Sequence, residues 1–311
     1  GDGLSDGDEV NSHGTNPREP DSDGDGLSDG EEVDGVVIIL AGVDLTVKTN
    51  PLEEDTDGDG IPDGVELREG FSITVDGREY MVFSDASKKD TDADGLTDWE
   101  EIVEGFKITV NGVQRTVFSD PSNPDTDGDK LSDKEELDQG LDPSLTDTDE
   151  DNIDDADELQ GLIITLGFEE PEERLVKTNP AMPDTDGDGL NDGEEVNAEA
   201  EFILFGLSHH FVTDPTVADT DRDGLTDREE KTERCHPLRP DSDGDGVLDG
   251  PQVNAELPCL GDVGDDPDGD GLSNRVEIML KTDPNEKDTD GDGLLDGDEF
   301  LGFPMMFEGK T

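Results

Sequence analysis

A twelve-residue acidic pattern recurs along the whole chain and constrains its fold more than any other feature. The pattern is Asp-x-Asp-x-Asp-x-apolar-x-Asp-x-x-Glu, with acids at positions 1, 3, 5, 9 and 12. Complete copies begin at Asp21, Asp55, Asp90, Asp125, Asp147, Asp184, Asp219 and Asp288, and two imperfect copies begin at Asp241 and Asp266. An eleventh, partial copy keeps Asp2, Asp6 and Glu9. Loop starts that lie 22 to 37 residues apart predict a row of small repeated units rather than one globule.

The distribution of charge indicates a cation. The chain has 88 acidic and 21 basic residues, a net charge of −67, and only 29% hydrophobic residues. This composition is usual in disordered chains, unless the acids cover a halophilic surface or gather around cations. The pattern positions hold 51 of the acids, leaving 37 acids against 21 bases elsewhere. Cation binding is therefore the favoured explanation of the acidity. Halophilic adaptation would be an addition to it rather than an alternative.

The same charge bears on partners. A strongly negative chain is predicted to bind neither nucleic acid nor anionic membrane surfaces. No run of 18 apolar residues is present, so no membrane span is predicted. The chain opens at Gly1 inside an acidic motif, and we expect any signal peptide to lie outside it.

The spacing of the acids fits calcium, which takes six to eight oxygen ligands at about 2.3–2.6 Å. Alternate residues at positions 1, 3 and 5 allow a curled backbone to point three carboxylates inward. Position 7 offers its carbonyl, position 9 often acts through water, and the glutamate at position 12 offers two oxygens. Glycine at position 6 permits the sharp turn, with Lys130 and Asn152 as replacements. Magnesium would need a tighter octahedron, so we predict calcium, at least ten ions per chain.

The predicted ligands are, at position 1, Asp21, Asp55, Asp90, Asp125, Asp147, Asp184, Asp219, Asp241, Asp266 and Asp288; at position 3, Asp23, Asp57, Asp92, Asp127, Asp149, Asp186, Asp221, Asp243, Asp268 and Asp290; at position 5, Asp25, Asp59, Asp94, Asp129, Asp151, Asp188, Asp223, Asp245, Asp270 and Asp292; at position 7, Leu27, Ile61, Leu96, Leu131, Ile153, Leu190, Leu225, Val247, Leu272 and Leu294; at position 9, Asp29, Asp63, Asp98, Asp133, Asp155, Asp192, Asp227, Asp249 and Asp296; at position 12, Glu32, Glu66, Glu101, Glu136, Glu158, Glu195, Glu230, Glu277 and Glu299; and Asp2, Asp6 and Glu9 of the partial copy. Two loops depart from the pattern, with Gln252 at position 12 and Asn274 at position 9.

A second Asx residue stands five residues before most loops, here called the upstream residue. The upstream residues are Asn16, Asn50, Asp85, Asp120, Asp142, Asn179, Asp214 and Asp283. Proline follows all of them except Asp85, which precedes Ala86. The constant offset has two interpretations, a further calcium ligand or an Asx-Pro turn alone. Charge favours the ligand, because two ions per loop neutralise the chain better than one, and the predicted number of ions therefore approaches two per loop.

The segments between loops predict small elements. A short helical turn is expected after position 12, closed by glycines such as Gly35 and Gly140. Hairpins are expected at Phe71–Phe83 around Asp76-Gly77 and at Phe106–Phe118 around Asn111-Gly112, with weaker signals at Val36–Val47, Leu162–Val176 and Phe202–Val212. The predicted fold is a mostly irregular calcium-loop repeat array, an elongated solenoid or rod with short helical turns, small β-hairpins and little conventional core.

The two cysteines define an atypical segment. Cys235 and Cys259 either form a disulfide, as expected of an extracellular chain, or remain free thiols in a reducing compartment. The neighbouring loops carry His236 and Gly261 in place of an upstream Asx. We predict tandem calcium-loop repeats with hairpin inserts over 1–230, a disulfide-stapled atypical repeat over 231–265, and terminal calcium-loop repeats over 266–311.

No catalytic constellation stands out in the sequence. Gly26-Leu27-Ser28-Asp29-Gly30 matches the Gly-x-Ser-x-Gly elbow of hydrolases, as do residues 3–7, but the serine stands at position 8 of a calcium loop. His-Glu-x-x-His is absent from the sequence. We therefore predict that the chain is not an enzyme.

The repeated string resembles a known family. Asp-Thr-Asp-Gly-Asp-Gly-Leu-x-Asp-Gly-x-Glu, together with Thr-Asp-Pro or Thr-Asn-Pro, is similar to the thrombospondin type 3 repeats of bacterial and archaeal surface proteins, over nearly the whole chain. Residues 55–75 also resemble, locally, the calcium segment of the protective-antigen subunits of binary toxins. The first resemblance implies an extracellular, calcium-ordered structure, and the second implies two ions that share the carboxylates of positions 3, 5 and 12.

These observations predict a calcium-rigidified stalk, spacer or filament subunit at a microbial cell surface. Its partners would be calcium ions and other copies of itself, or further repeats of the same chain. The alternative is a calcium-binding accessory region of a secreted enzyme or toxin whose active domain lies outside this segment.

Overall fold

The computed structural model describes residues 1–40, 42–167, 171–198, 201–204, 207–233, 235–242, 248–252, 268–270, 272, 277, 280–283 and 286–301. Two compact units are present, Gly1–Asp149 with Asp154–Ala156, and Glu150–Ile153 with Asp157–Thr311. Each unit repeats one plan, in which an irregular acidic loop leads into a short helix and, in most repeats, a β-hairpin. None of the helices in the described ranges is long and apolar enough to cross a membrane.

Five antiparallel hairpins confirm the five predicted inserts. They pair β1 (Val36–Leu40) with β2 (Val43–Val47), β3 (Phe71–Val75) with β4 (Arg78–Val82), β5 (Phe106–Val110) with β6 (Val113–Val117), β7 (Leu162–Leu166) with β8 (Glu172–Val176), and β9 (Glu201–Leu204) with β10 (Leu207–His210). The central cross-strand pairs of the second and third hairpins are Ile73 with Tyr80 and Ile108 with Arg115. Asp76 and Asn111 open their turns with φ of 47°, and a glycine follows each. Both central residues are therefore left-handed, as a type I′ turn requires.

The helices are short and begin inside the acidic loops. They span Asp6–Asp8, Asp29–Asp34, Asp133–Gln139, Asp155–Gln160, Asp192–Val196, Asp227–Glu233, Asp249–Gln252 and Asp296–Leu301, with π-helical turns at Glu9–His13, Val65–Glu69 and Glu100–Glu104. The expectation of a helical turn after position 12 was wrong in its starting point, because helices such as Asp29–Asp34 begin at position 9 and carry the position 12 glutamate.

Capping explains why these helices begin at position 9. Ser28, at position 8, accepts a hydrogen bond from the backbone N–H of Glu31, whose carboxylate accepts one from the backbone N–H of Ser28. Ser132 and Glu135 form the same capping box in the fourth loop. Such reciprocal bonds satisfy N–H groups that a helix N-terminus leaves without partners. The first helical turn therefore holds the carboxylates of positions 9 and 12.

The apolar interior is divided into small clusters. In the described part of the first unit, Leu27, Ile38, Val47, Leu67 and Ala86 form one cluster. A second in that unit comprises Ile108, Val110 and Val117. In the described part of the second unit, the clusters comprise Ile164, Leu166 and Val176; Leu190, Phe202 and Phe211; and Leu225 with Cys235. Each cluster lies between a hairpin or loop and its neighbours, so no conventional single core forms within the described residues.

Successive loops stack through one recurring contact. The backbone N–H of Gly64, at position 10 of the second loop, donates to the carboxylate of Asp25, at position 5 of the first, over 2.9 Å. The same bond joins Ala156 to Asp129 at 3.1 Å. In the second unit, Arg228 donates to Asp188 at 2.8 Å and Gly297 to Asp270 at 3.0 Å. Position 5 therefore links two repeats.

The close approach predicts that Gly64→Ala weakens the stack. A Cβ on Gly64 would overlap the carbonyl oxygen of Asp25, so the backbones must separate. We expect a loss of about 1–3 kcal/mol in unfolding free energy, as for other overpacked sites, measured as a lower urea midpoint in saturating calcium. Gly7→Ala is the matched control, because a Cβ at that position 10 would meet only the Ser5 Oγ, at 3.8 Å. Equal midpoints for the two variants would contradict the stacking contact.

Candidate metal centres

The carboxylates at positions 1, 3 and 5 converge within single loops. Oxygens of Asp21, Asp23 and Asp25 all lie within 4.8 Å of one another. The same holds for Asp55, Asp57 and Asp59 of the second loop, and for Asp90, Asp92 and Asp94 of the third. The structure thus brings together the first three predicted ligands of these loops, in what we call the loop cluster.

A second cluster joins two repeats. Oxygens of Asp25 and Glu32, at positions 5 and 12 of the first loop, lie within 4.8 Å of each other and of Asp63, at position 9 of the second. Asp2, Glu9 and Asp29 form the equivalent group with the partial copy. We call this arrangement the junction cluster. Because position 5 belongs to both, the two clusters share a carboxylate.

The position 9 carboxylate lies at the junction with the preceding loop, beside Asp25 and Glu32 in the case of Asp63. The predicted role of Asp63 toward an ion of its own loop stays a prediction. The orientation of Asp63 is set by Thr56, at position 2, whose backbone N–H and hydroxyl donate to the two Asp63 oxygens at 2.8 and 2.6 Å. Ser22 holds Asp29 in the same way, at 2.8 Å for both bonds. The Ser or Thr that recurs at position 2 is the sequence signal for this orientation.

The position 12 glutamates are buried with oxygens that have no hydrogen-bond partner. The side chains of Glu32, Glu66, Glu101, Glu136, Glu195 and Glu230 are 0% exposed. Within the described residues, no hydrogen bond reaches the Oε2 of Glu32, Glu66, Glu101 or Glu195, or either oxygen of Glu136 or Glu230. Oδ2 of Asp23, Asp57, Asp92, Asp127, Asp186 and Asp221, all at position 3, is also buried without one. A buried carboxylate without a partner is costly, and a cation would supply the partner.

Burial and neighbouring acids raise the pKa values of these buried glutamates. Burial, together with the charges of Asp57, Asp59 and Asp98, raises the pKa of Glu66 to about 9. For the same two reasons the pKa of Glu32 is raised to about 8, and among the neighbouring acids Asp23 has the largest effect. At neutral pH the fold can keep these oxygens charged only beside a cation. All the donors are oxygens and most are carboxylates, the set that a hard cation such as calcium prefers.

The apolar residues at position 7 have a structural role of their own. Leu27, Ile61 and Leu190 are at most 2% exposed, and Leu27 lies in the first apolar cluster. The backbone N–H of Leu27 donates to the Asp25 carboxylate at 2.7 Å. In these loops position 7 thus anchors the acidic loop to the packed interior of its repeat, whereas Leu294 of the tenth loop is 39% exposed.

The upstream residues form turns. Oδ1 of Asp85 accepts hydrogen bonds from the Ser87 backbone N–H at 3.2 Å and the Ser87 hydroxyl at 2.6 Å. The backbone N–H of Asp85 donates to Thr91 at 2.8 Å. Equivalent Asx turns are made by Asp120 with Ser122, Asp142 with Ser144, Asn179 with Ala181, and Asp214 with Thr216. This is the turn alternative that the sequence left open.

Basic side chains also reach the upstream carboxylates. Lys88 lies 2.8 Å from Asp85, and Arg174 of β8 hydrogen-bonds to Asp214. Burial would raise the pKa of Asp85, but the bonds from Lys88 and Ser87 lower it. A calcium-ligand role for the upstream residues, Asn50 and Asp283 included, therefore stays a prediction.

The imperfect loops and the cysteines are only partly described. Asp243, Asp245, Val247, Asp266, Asn274 and Cys259 lie outside the described residues, and Cys235 is buried beside Leu225. The eighth loop, which has Gln252 in place of glutamate, still supplies Asp249 to the seventh, since that carboxylate acts on the pKa of Glu230. Gly250 donates to Asp223 at 3.2 Å, repeating the stacking bond. An imperfect copy can thus complete the junction cluster of its neighbour.

Replacing one junction glutamate should weaken calcium binding locally. Glu66→Gln removes a charged oxygen, so we expect the calcium midpoint of its site to rise by about tenfold or more. Trp99, the single tryptophan, reports on this site, because its backbone N–H donates to Asp59 and its ring lies against Gly60. Glu69→Gln, at an exposed position of the same helical turn, is the control. Superimposable Trp99 titrations for the two variants would contradict the assignment.

Comparison with known proteins agrees with the repeat pattern. The sequence model of the bacterial TSP3 repeat matches seven segments, residues 1–18, 21–35, 55–70, 125–144, 184–199, 219–233 and 266–287. No curated protein and no solved structure matches the chain. TSP3 repeats are structural, calcium-binding repeats that occur in extracellular proteins. The chain therefore contains repeats of the bacterial TSP3 family at seven places along its length.

Proposed function

We propose that this chain is a non-catalytic extracellular spacer whose repeats are joined by calcium. The observation that carries the proposal is the junction cluster, in which a fully buried glutamate with a partnerless oxygen faces carboxylates of its own loop and of the next. An ion at this place would bind carboxylates from two successive repeats. It would thereby neutralise their charges and hold the two repeats together. Calcium would thereby fix the position of each repeat relative to its neighbour.

The two kinds of cluster support two ions per loop. The loop cluster offers the carboxylates of positions 1, 3 and 5, and the junction cluster offers those of positions 5 and 12 with position 9 of the next loop. A position 5 carboxylate can bridge the two ions, with one oxygen bound to each. The upstream Asx residues would add ligands only if calcium displaced their turn hydrogen bonds.

A mechanical role follows from this arrangement. Each repeat buries too little apolar surface to be stable alone, since a lone two-stranded hairpin is marginal in water. Ion-linked neighbours would convert a self-repelling polyanion into a stiff array, suited to a stalk, a spacer or a filament subunit at a microbial cell surface. Within it we propose repeats over 1–230, a segment over 231–265 stapled by Cys235 and Cys259, and terminal repeats over 266–311.

The alternative function is an accessory region of a secreted enzyme or toxin, favoured by the local resemblance of residues 55–75 to binary-toxin subunits. The full-length reading frame discriminates the two, because an accessory region would adjoin a catalytic or pore-forming domain.

The number of bound ions tests the proposal. We expect equilibrium dialysis to give more than ten calcium ions per chain, approaching two per loop. Analytical ultracentrifugation of the same samples should give a sedimentation coefficient that increases as the ions bind, because the neutralised and ordered chain is less expanded than the self-repelling one. A count near ten or below would contradict the two-cluster assignment. A sedimentation coefficient that does not change with calcium would contradict the spacer.

A further inference from the structure

A hydroxyl group from the next segment contacts the position 12 glutamate in four repeats. The donor is in each case the residue just before the upstream residue. The bonds are Thr49 to Glu32 at 3.0 Å, Ser84 to Glu66 at 2.7 Å, Ser119 to Glu101 at 2.8 Å, and Thr213 to Glu195 at 2.8 Å. All four bonds end on Oε1, and in all four glutamates Oε2 is the buried oxygen without a hydrogen bond. The hydroxyl thus fixes the carboxylate with its second oxygen left for another partner.

Each donor stands directly behind a hairpin. Ser84 follows β4, which ends at Val82, and Ser119 follows β6, which ends at Val117. Ser84 and Ser119 are 0% exposed. The backbone N–H of Ser119 also donates to the carbonyl oxygen of Glu101, at 3.3 Å. The end of the hairpin is therefore fastened to the residue that closes the acidic loop.

Two repeats without a hairpin have no hydroxyl in the donor position. After the fourth and seventh loops, whose successors start 22 residues later, the equivalent residues are Leu141 and Cys235, both fully buried. In those repeats both oxygens of Glu136 and Glu230 are without hydrogen bonds among the described residues. In a third short repeat Thr282 occupies the donor position, but its hydroxyl donates to the backbone carbonyl oxygen of Glu277, at 3.3 Å, and not to the carboxylate. Behind β8, Thr178 occupies the donor position, but its hydroxyl has no partner in the described structure. The bond to glutamate thus accompanies four of the five hairpins and does not occur in these three short repeats.

We propose that Thr49, Ser84, Ser119 and Thr213 are positioning residues for calcium, and that the presence or absence of this hydroxyl bond divides the junction sites into two classes. In the clamped class a hairpin hydroxyl holds the glutamate in its binding rotamer before the ion arrives. In the open class, with Glu136 and Glu230, the ion itself must order the glutamate. Clamped junctions therefore fill at lower calcium concentration than open ones, and filling them also fastens the hairpin.

The physical basis is pre-organisation. A hydroxyl has one proton to donate, so the carboxylate keeps its remaining lone pairs for the ion. Groups that orient a metal ligand from behind typically contribute 10–100-fold in affinity. The inference rests on the proposed calcium function, since without calcium at the junction the clamp has nothing to position.

Ser84 allows the sharpest test, because Trp99 lies at the same junction. Calcium titrations of the full chain would be followed by Trp99 fluorescence in the unmodified protein and in Ser84→Ala, Ser84→Thr and Thr213→Val. We expect Ser84→Ala to raise the Trp99-reported midpoint by about tenfold. Ser84→Thr, which keeps the hydroxyl found at Thr49 and Thr213, should restore the original midpoint. Thr213→Val removes a clamp in the second unit and should leave Trp99 unaffected.

The outcomes separate the clamp from the calcium function. A midpoint that is unchanged in Ser84→Ala, or one that Ser84→Thr fails to restore, overturns the clamp while the calcium function stands. Thr213→Val shifting Trp99 as much as Ser84→Ala would also overturn it, because the effect would then be general destabilisation. If Trp99 of the unmodified protein does not respond to calcium at all, the proposed function itself fails. Should Ser84→Ala fold poorly, Ser119→Ala read by hydrogen exchange of Glu101 and its neighbours applies the same criterion.

Discussion

Repulsion among buried carboxylates is the constraint on which the rest of this structure depends. Two unit charges about 4 Å apart repel by about 4 kcal/mol at an effective dielectric of about 20. Several such pairs within one loop exceed the roughly 5–15 kcal/mol that stabilises a typical domain. The small apolar clusters around Leu27 or Ile108 cannot offset this repulsion. The packed arrangement of Glu32 or Glu66 among other acids is therefore stable only when positive charge enters the clusters.

Sharing of carboxylates extends this constraint from one loop to the next. Asp25 belongs to the loop cluster of its own repeat and to the junction cluster with Asp63, and it also accepts the stacking bond from Gly64. Loss of an ion at one junction would thus disturb the ligands of the adjacent loop. In repeat proteins, stability is approximately the sum of repeat terms and nearest-neighbour terms. Here the neighbour term would be set largely by calcium, and the stiffness of the array would follow its concentration.

Much of the local structure could be predicted from the sequence, because it depends on short-range patterns. Alternating acids predicted the loop clusters, and Asp76-Gly77 and Asn111-Gly112 predicted their hairpins. The capping pairs, such as Ser28 with Glu31, were present as Ser-x-x-Glu and would have placed the helix start at position 9. Contacts between repeats could not be predicted in this way. Nothing in the spacing of Asp25 and Asp63 says that position 9 faces the preceding loop, since that follows from how the backbones stack.

The same limit applies to Ser84 and Arg174. A hydroxyl or guanidinium beside an acid is a common surface feature, and only three-dimensional packing shows that Ser84 faces the buried Glu66. Position 7 illustrates the opposite case. Its apolar character was evident in every loop, but its cause, anchoring of the acidic loop to an apolar cluster, needed the burial of Leu27 and Ile61.

Calcium dependence of the whole fold tests the central claim most directly. Far-UV circular dichroism and limited proteolysis of one sample would be compared in millimolar calcium, in excess chelator, and after calcium is restored. Dependence on the ion predicts loss of ordered signal and rapid cleavage throughout the chain in chelator, with full recovery on re-addition. A metal-free chain that keeps its spectrum and resists protease equally well would contradict the account.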